Sequence, residues 1–228
     1  MQWLYQAKKK YELTILNYMI TSNHVHLLVF DTGKRQVIPR SMQLVAGRIG
    51  QEYNQRKNRK GAYWEDRYHA TAVESGEHLA RCMVYIDTNM VRAGKVSHPS
   101  QWSFSGYNEI QEPRRKNILI DYEKLRLLIG AGSYDQLQKS HRGWVEEYLR
   151  SGVQARQDEW TASVAVGSRP FVENVKTQLG FKVKGRNVIE DGEGYHLREE
   201  TAPYKANFRA KKENIGPENA YFWDVNTE

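Results

Sequence analysis

His24 and His26 stand two residues apart in the run His24-Val25-His26-Leu27-Leu28-Val29-Phe30. In a strand, side chains at i and i+2 share one face, about 7 Å apart at Cα. Two imidazoles so placed can converge on one divalent cation, while Val25 and Leu27 turn to the other face and the core. An H-x-H pair can equally be two partly exposed structural histidines, and the spacing alone leaves both readings open. Tyr85 offers a different chemistry. At about 100° per residue, a helix with Leu79, Cys82, Met83, Ile86 and Met90 on one stripe gathers Tyr85, Asn89, Arg81 and Arg92 on its flank. The flank thus displays a phenol, a carboxamide and two guanidinium groups together. From these residues alone, a core tyrosine snorkelling to the surface beside ordinary arginines is the reading favoured. A third group interleaves Tyr53, Tyr63, Trp64 and Tyr68 with Arg56, Lys57, Arg59, Lys60 and Arg67. Aromatic platforms among cations suit single-stranded nucleic acid, through stacking and phosphate neutralisation. Trp64 is the member of that group expected in the core.

These groups need elements to hold them. Residues 11–20 are rich in β formers and alternate, which predicts a strand. Thr21-Ser22-Asn23 is turn-like, and residues 24–30 read as a second strand, making a hairpin. Pro39 suits the first position of a helix. Met42, Val45, Ile49 and Tyr53 then recur at helical spacing, predicting a helix over about 39–57. Residues 62–74 suggest one or two short strands. After Gly76 the tyrosine stripe predicts a helix over 78–93, closed by Gly94. Strands mixed with helices point to an α+β fold, with helices on one face of an antiparallel sheet. Pro113 with Arg114-Arg115-Lys116 reads as an exposed connection.

Beyond Gly130 the texture changes. Ser133 can cap a helix carrying Leu137, Trp144, Val145 and Leu149 and ending at Gly152. Phe171, Val172, Val175 and Leu179 mark another, ending at Gly180. From Phe181 the chain is polar and turn-rich. This divides the chain into residues 1–130 and a small helical appendage with a tail, 131–228, whose chemistry the sequence leaves mute. No run approaches the roughly 18 apolar residues that a spanning helix needs, so no membrane association is expected. The start lacks the layout of a signal peptide. A single cysteine, Cys82, excludes an internal disulfide and any multi-cysteine zinc site, and a reducing cytoplasm is the expected home. Residues 1–130 hold 20 basic and 12 acidic side chains, and residues 131–228 hold 14 and 15. The excess positive charge therefore lies in the first part. It favours a phosphate-backbone partner, with solubility alone as the competing reading.

Asn23-His24-Val25-His26-Leu27-Leu28, followed 59 residues after His26 by Tyr85-Ile86-Asp87-Thr88-Asn89-Met90-Val91-Arg92-Ala93-Gly94, resembles the single-tyrosine HUH transposases of bacterial insertion sequences. The closer resemblance is to their REP-associated relatives, whose tyrosine helix reads YIxxNPVRAG. Gly61-Ala62-Tyr63-Trp64-Glu65-Asp66-Arg67-Tyr68 is similar to their G-x-x-W-x-x-R-[FY] segment, and Trp102-Ser103-Phe104-Ser105-Gly106-Tyr107 also matches. The resemblance covers roughly residues 10–110. Each motif is weak alone, and the combination in this order is specific.

The resemblance implies a ferredoxin-like (RRM-like) sheet. It implies His24, His26 and Asn89 as ligands of Mg²⁺ or Mn²⁺, and Tyr85 as a nucleophile that keeps a 5′-phosphotyrosine link while freeing a 3′-hydroxyl. Arg48, Arg56, Lys57, Arg59, Lys60, Arg67, Arg81 and Arg92 would contact single-stranded or hairpin DNA. Family members often dimerise, some acting in trans. Two departures stand out: Met90 replaces the family's proline, and only about ten residues precede the first predicted strand. The family's initial strand is therefore expected to be missing, with residues 6–10 a remnant of the helix that follows it. Two other functions are weighed. One is a truncated or domesticated relative that grips hairpin DNA without cutting it. The other is a nucleotide hydrolase of the histidine-triad class, which Leu28 disfavours by standing where that class needs a third histidine.

Overall fold

The computed structural model describes residues 1–152, 157–192 and 194–199. The chain opens with helix α1 (Gln2–Tyr11), which buries Leu4 and Ala7 and carries Lys8, Lys9 and Lys10 in its last turn, where cations complement the helix dipole. Glu12 closes it in the left-handed conformation, φ 59°. Residues 6–10 thus lie in the second half of α1. The first strand, predicted from residue 11, begins only at residue 14, because Tyr11 and Glu12 finish the helix.

β1 (Thr14–Ile20) and β2 (Val25–Phe30) form an antiparallel hairpin, with Met19 opposite His26 and Ile20 opposite Val25. Among the described residues no strand precedes β1, and the sheet goes no further than this pair. Ile120 and Ser105 each make one isolated bridge to β1. Residues 15–19 are buried throughout. The expectation of helices on one face is therefore corrected at β1, which is covered on both. Asn17 turns to Asp87 and Tyr18 to Glu109, and neighbouring strand residues point to opposite faces.

α2 (Val37–Arg56) matches the predicted amphipathic helix, with Val45 buried, but Pro39 is its third residue rather than its first. Of residues 62–74 only β3 (Ala72–Val73) is a strand. The predicted helix over 78–93 is broken into α3 (Glu77–Asp87) and α4 (Asn89–Arg92) at Thr88. The Thr88 hydroxyl donates to the Val84 carbonyl at 2.7 Å and accepts from Arg92 Nη1 at 2.6 Å. Such back-bonding from a threonine bends a helix. α5 (Gly106–Gln111) and α6 (Tyr122–Ile129) follow.

α7 (Tyr134–Ser151) has the predicted limits: Ser133 accepts from the Gln136 amide, and Gly152 closes it at φ 69°. Then come α8 (Glu159–Ala162), β4 (Ala165–Gly167), α9 (Arg169–Leu179), β5 (Arg186–Glu190) and β6 (Tyr195–Glu199). The predicted helical appendage is therefore corrected to a helix-and-sheet unit. Its sheet runs β3-β4-β6-β5, parallel at β3–β4 and antiparallel elsewhere, so one strand comes from residues 72–73. Leu137, Trp160 and Val166 share a hydrophobic core with Leu4, Ile15 and Met83, so packing is continuous across residue 130.

Gly106, in the Trp102-Ser103-Phe104-Ser105-Gly106-Tyr107 segment, lies where this core leaves no room. A Cβ there would stand 2.0 Å from Asn17 Oδ1 and 2.9 Å from the Tyr18 amide nitrogen. Asn17 cannot yield, because its oxygen accepts from the Tyr18 amide and its nitrogen donates to Asp87. Gly106→Ala is expected to cost about 1–3 kcal/mol or more as overpacking. Chemical denaturation against the parent protein measures it, and an unchanged midpoint would contradict this packing.

Candidate functional site

The β1–β2 hairpin presents His24 at the mouth of β2 and His26 within it, and α4 brings Asn89 between them. The two imidazole centroids are 5.0 Å apart and nearly perpendicular. His24 Nε2 lies 3.1 Å from Asn89 Oδ1, and His26 Nε2 lies 3.2 Å from Asn89 Nδ2. The break at Thr88 matters here, because it makes Asn89 the first residue of a new helix rather than the next step of α3.

His24 is oriented from behind. Its Nδ1 sits 2.8 Å from Asn23 Oδ1 and 3.0 Å from Thr21 Oγ1, and its amide donates to Thr21 Oγ1 at 3.1 Å. An amide oxygen only accepts, so Nδ1 carries the proton and Nε2 carries the lone pair. That lone pair faces Asn89 Oδ1, a second acceptor. A cation between them would satisfy both, and a fixed outer-ring hydrogen bond of this kind is what orients a ligating histidine. Among the described residues no group of three or more His, Cys, Asp or Glu is placed to hold a metal ion. The candidate set is two imidazoles and a carboxamide, a donor set better matched to Mn²⁺ than to oxygen-seeking Mg²⁺.

Tyr85, on the last turn of α3, stands beside this cluster. Its ring centroid is 6.1 Å from that of His26, in a T-shaped arrangement. Arg92 lies across its face, with the guanidinium carbon 4.0 Å from the ring centroid, and donates from Nη2 to the Tyr85 carbonyl at 2.8 Å. Trp160 of α8 also meets the ring, centroid to centroid 6.2 Å, and is itself covered by Arg81 at 5.9 Å. Tyr85 is only 4 % exposed. The expected display of its phenol on an open flank is thus corrected: α8 and Arg92 close over the ring.

The basic residues fall into two groups. Arg56 and Arg59 lie over Tyr53 at 5.9 and 5.6 Å, and Tyr53 packs on Tyr63 at 4.6 Å. Lys57, Lys60 and Arg67 are exposed nearby in sequence. Trp64 donates from Nε1 to the Ala46 carbonyl and is half-buried, which anchors this segment to α2. Arg48 lies over Trp3 of α1 at 5.2 Å. Arg81 and Arg92 form the other group, at Trp160 and Tyr85. Cys82 is no rival nucleophile: burial, then Asp87, pushes its thiol up to about 12.

Sequence reasoning missed Trp160, which lies 75 positions from Tyr85 in a region that reads as mute. It also missed the support behind the tyrosine helix. Asp87 and His141 are fully buried, with His141 Nε2 2.7 Å from Asp87 Oδ2. Asn17 Nδ2 donates to Asp87 Oδ1 at 3.1 Å, and Gln111 Nε2 lies 3.1 Å from His141 Nδ1. A histidine within the α7 stripe was the available signal, but nothing local pairs it with Asp87.

Residues 1–89 match the family model described as "Transposase IS200 like". That span holds both histidines, Tyr85 and Asn89. No curated protein and no solved structure matches the chain. Among the described residues no helix is long and apolar enough to cross a membrane.

Proposed function

We propose that the chain, whose residues 1–89 match the IS200-like transposase family model, acts on DNA, cleaving and rejoining single strands through a 5′-phosphotyrosine intermediate. The Tyr85 oxygen attacks the phosphorus of a phosphodiester. An O–P bond to tyrosine forms, the P–O3′ bond breaks, the phenol loses its proton, and the departing 3′-oxygen gains one. One phosphodiester replaces another, so rejoining needs no ATP. His24, His26 and Asn89 would hold a divalent cation, Mn²⁺ or Mg²⁺, which when bound supplies Lewis-acid polarisation of the phosphate and orients it for in-line attack. The observation that carries the reading is the meeting of Tyr85 with His24, His26 and Asn89, drawn from the β1–β2 hairpin, α3 and α4, in one cluster. Arg56, Lys57, Arg59, Lys60 and Arg67, with Tyr53 and Tyr63, suit the strand's backbone and bases, while Arg81, Arg92 and Arg48 add positive charge elsewhere.

Tyr85 is 4 % exposed, so a phosphate reaches its oxygen only after the covering side chains withdraw. The same burial favours a second reading, a relative that grips hairpin DNA without cutting it. One experiment separates them. The full chain is incubated with single-stranded oligonucleotides, some carrying a hairpin, in Mn²⁺, in Mg²⁺ or in EDTA. Cleavage predicts a denaturation-resistant adduct in either metal and none in EDTA, with the nucleotide mass on the peptide that contains Tyr85. Binding without any adduct, unaffected by EDTA, supports the second reading. A mass on another tyrosine overturns the assignment of the nucleophile.

A further inference from the structure

Residues 131–228 are almost neutral in sum, yet residues 168–186 carry five cations, Arg169, Lys176, Lys182, Lys184 and Arg186, against one carboxylate, Glu173. Arg169 pairs with Glu173 at 2.8 Å and Arg186 with Glu199 at 3.4 Å. Lys182 and Lys184 have no acidic partner within ion-pair distance among the described residues, and both are exposed. Between α9 and β5 the chain makes a 3-10 turn, Gly180–Val183, at which Phe181 is 87 % exposed. The other large apolar side chains most exposed among the described residues, Leu127, Tyr68 and Phe104, reach only 58 %, 52 % and 51 %.

The turn is fixed rather than loose. Val183 is buried with Ala165, Val172 and Leu197 in the core of the C-terminal unit. Lys184 donates its amide to the Phe181 carbonyl at 3.2 Å, and Arg186 Nη1 donates to the Lys182 carbonyl at 3.2 Å. Gly180 and Gly185 bracket it at φ 54° and 87°, a backbone that other residues rarely adopt. Anchoring Val183 inward thus holds Phe181 outward, with Lys182 and Lys184 next along the chain, at the expense of the stabilisation its burial would bring.

We propose that Phe181, Lys182 and Lys184 form a second contact for single-stranded nucleic acid, with the Phe181 ring stacking on a base and the two ammonium groups neutralising adjacent phosphates. An exposed ring alone would suit a second copy of the chain as well. Lys182 and Lys184, exposed in the same turn with no acidic partner among the described residues, favour a polyanion and oppose a like-charged partner. The unit is tied to the tyrosine domain through the β3–β4 pairing and through Glu74, which accepts from the Ser168 hydroxyl at 2.9 Å. A strand held at this turn is therefore held by the same body that carries Tyr85.

The inference rests on the reading that the chain binds single-stranded DNA, and the test keeps the two apart. Anisotropy titrations of a labelled oligothymidylate, several times longer than a single site of about 4–16 nucleotides, are run in EDTA at several salt concentrations. Phe181→Ala is expected to weaken binding about 5- to 150-fold with the salt slope unchanged, and Phe181→Tyr to restore it. The double variant Lys182→Ala/Lys184→Ala is expected to lower the salt slope by about 1.4, at about 0.7 per single-strand phosphate. Parent-level affinity in Phe181→Ala overturns this inference and leaves the proposed function standing. A parent protein that binds no single strand overturns both. A change in sedimentation of Phe181→Ala, with DNA affinity intact, assigns the ring to a contact between copies and also overturns it.

Discussion

Tyr85→Phe is expected to abolish the covalent DNA adduct, lowering its rate by roughly 10³-fold or more, because it removes the oxygen proposed to form the bond to phosphorus. Phenylalanine keeps the ring that meets His26 at 6.1 Å, Trp160 at 6.2 Å and the Arg92 guanidinium at 4.0 Å. Stability should therefore change by no more than about 1 kcal/mol, the net worth of a typical hydrogen bond. DNA affinity in EDTA should stay at the parent level. The informative measurement is the split between these quantities: adduct lost, affinity and denaturation midpoint kept. Loss of affinity in parallel with the adduct would recast Tyr85 as a binding anchor. An adduct that persists in Tyr85→Phe would place the nucleophile elsewhere.

Asp87→Ala carries the largest expected effect on stability. The carboxylate is fully buried at the end of α3, and it accepts from Asn17 on one oxygen and His141 on the other. Gln111 Nε2 is a donor facing His141 Nδ1, so Nδ1 accepts and Nε2–H donates to Asp87. Removing the carboxylate strands two buried donors from β1 and α7. Leaving each of these buried donors unpaired costs about 1–3 kcal/mol, together roughly 4–24 °C in Tm for a chain of this size at about 2–4 °C per kcal/mol. Asp87→Asn should cost less. Its oxygen can still serve one donor, while its NH₂ meets the other. Asn17 cannot reverse to accept, because its own oxygen is held by the Tyr18 amide. The expected order of Tm is parent, then Asn, then Ala. A double variant with His141→Ala should lose less than the sum of the single changes, since the pair acts as a unit. Equal Tm for all forms would show that the α3–α7 contact contributes nothing. Because Asp87 lies two positions after Tyr85, the destabilised forms should also lose adduct, through displacement of α3 rather than through chemistry.

How much of this was legible in sequence follows from how local each signal is. The limits of α7 rest on Ser133 and Gly152, which act on their own turn of backbone, and they stand where the sequence puts them. The hairpin and α2 follow from alternation and from a stripe at helical spacing, again within one element. The break at Thr88 was missed because helical periodicity is blind to a hydroxyl that bonds back into its own helix. β5 and β6 lie in a stretch whose sequence is polar and turn-rich, and they form strands by pairing with each other and, through β6, with β4.

The residue types that can do chemistry, His24, His26, Tyr85 and Asn89, and the elements that carry most of them were thus written in the chain itself, since short-range spacing determines which side chains share a face. Only the tertiary structure decided that Asn89 stands between the two imidazoles, that Trp160 lies over Tyr85, and that Asp87 meets His141. Each of those contacts joins segments tens of residues apart. No local pattern encodes them, because they are selected by the burial and hydrogen bonding of the whole folded chain against the entropy of bringing distant segments together.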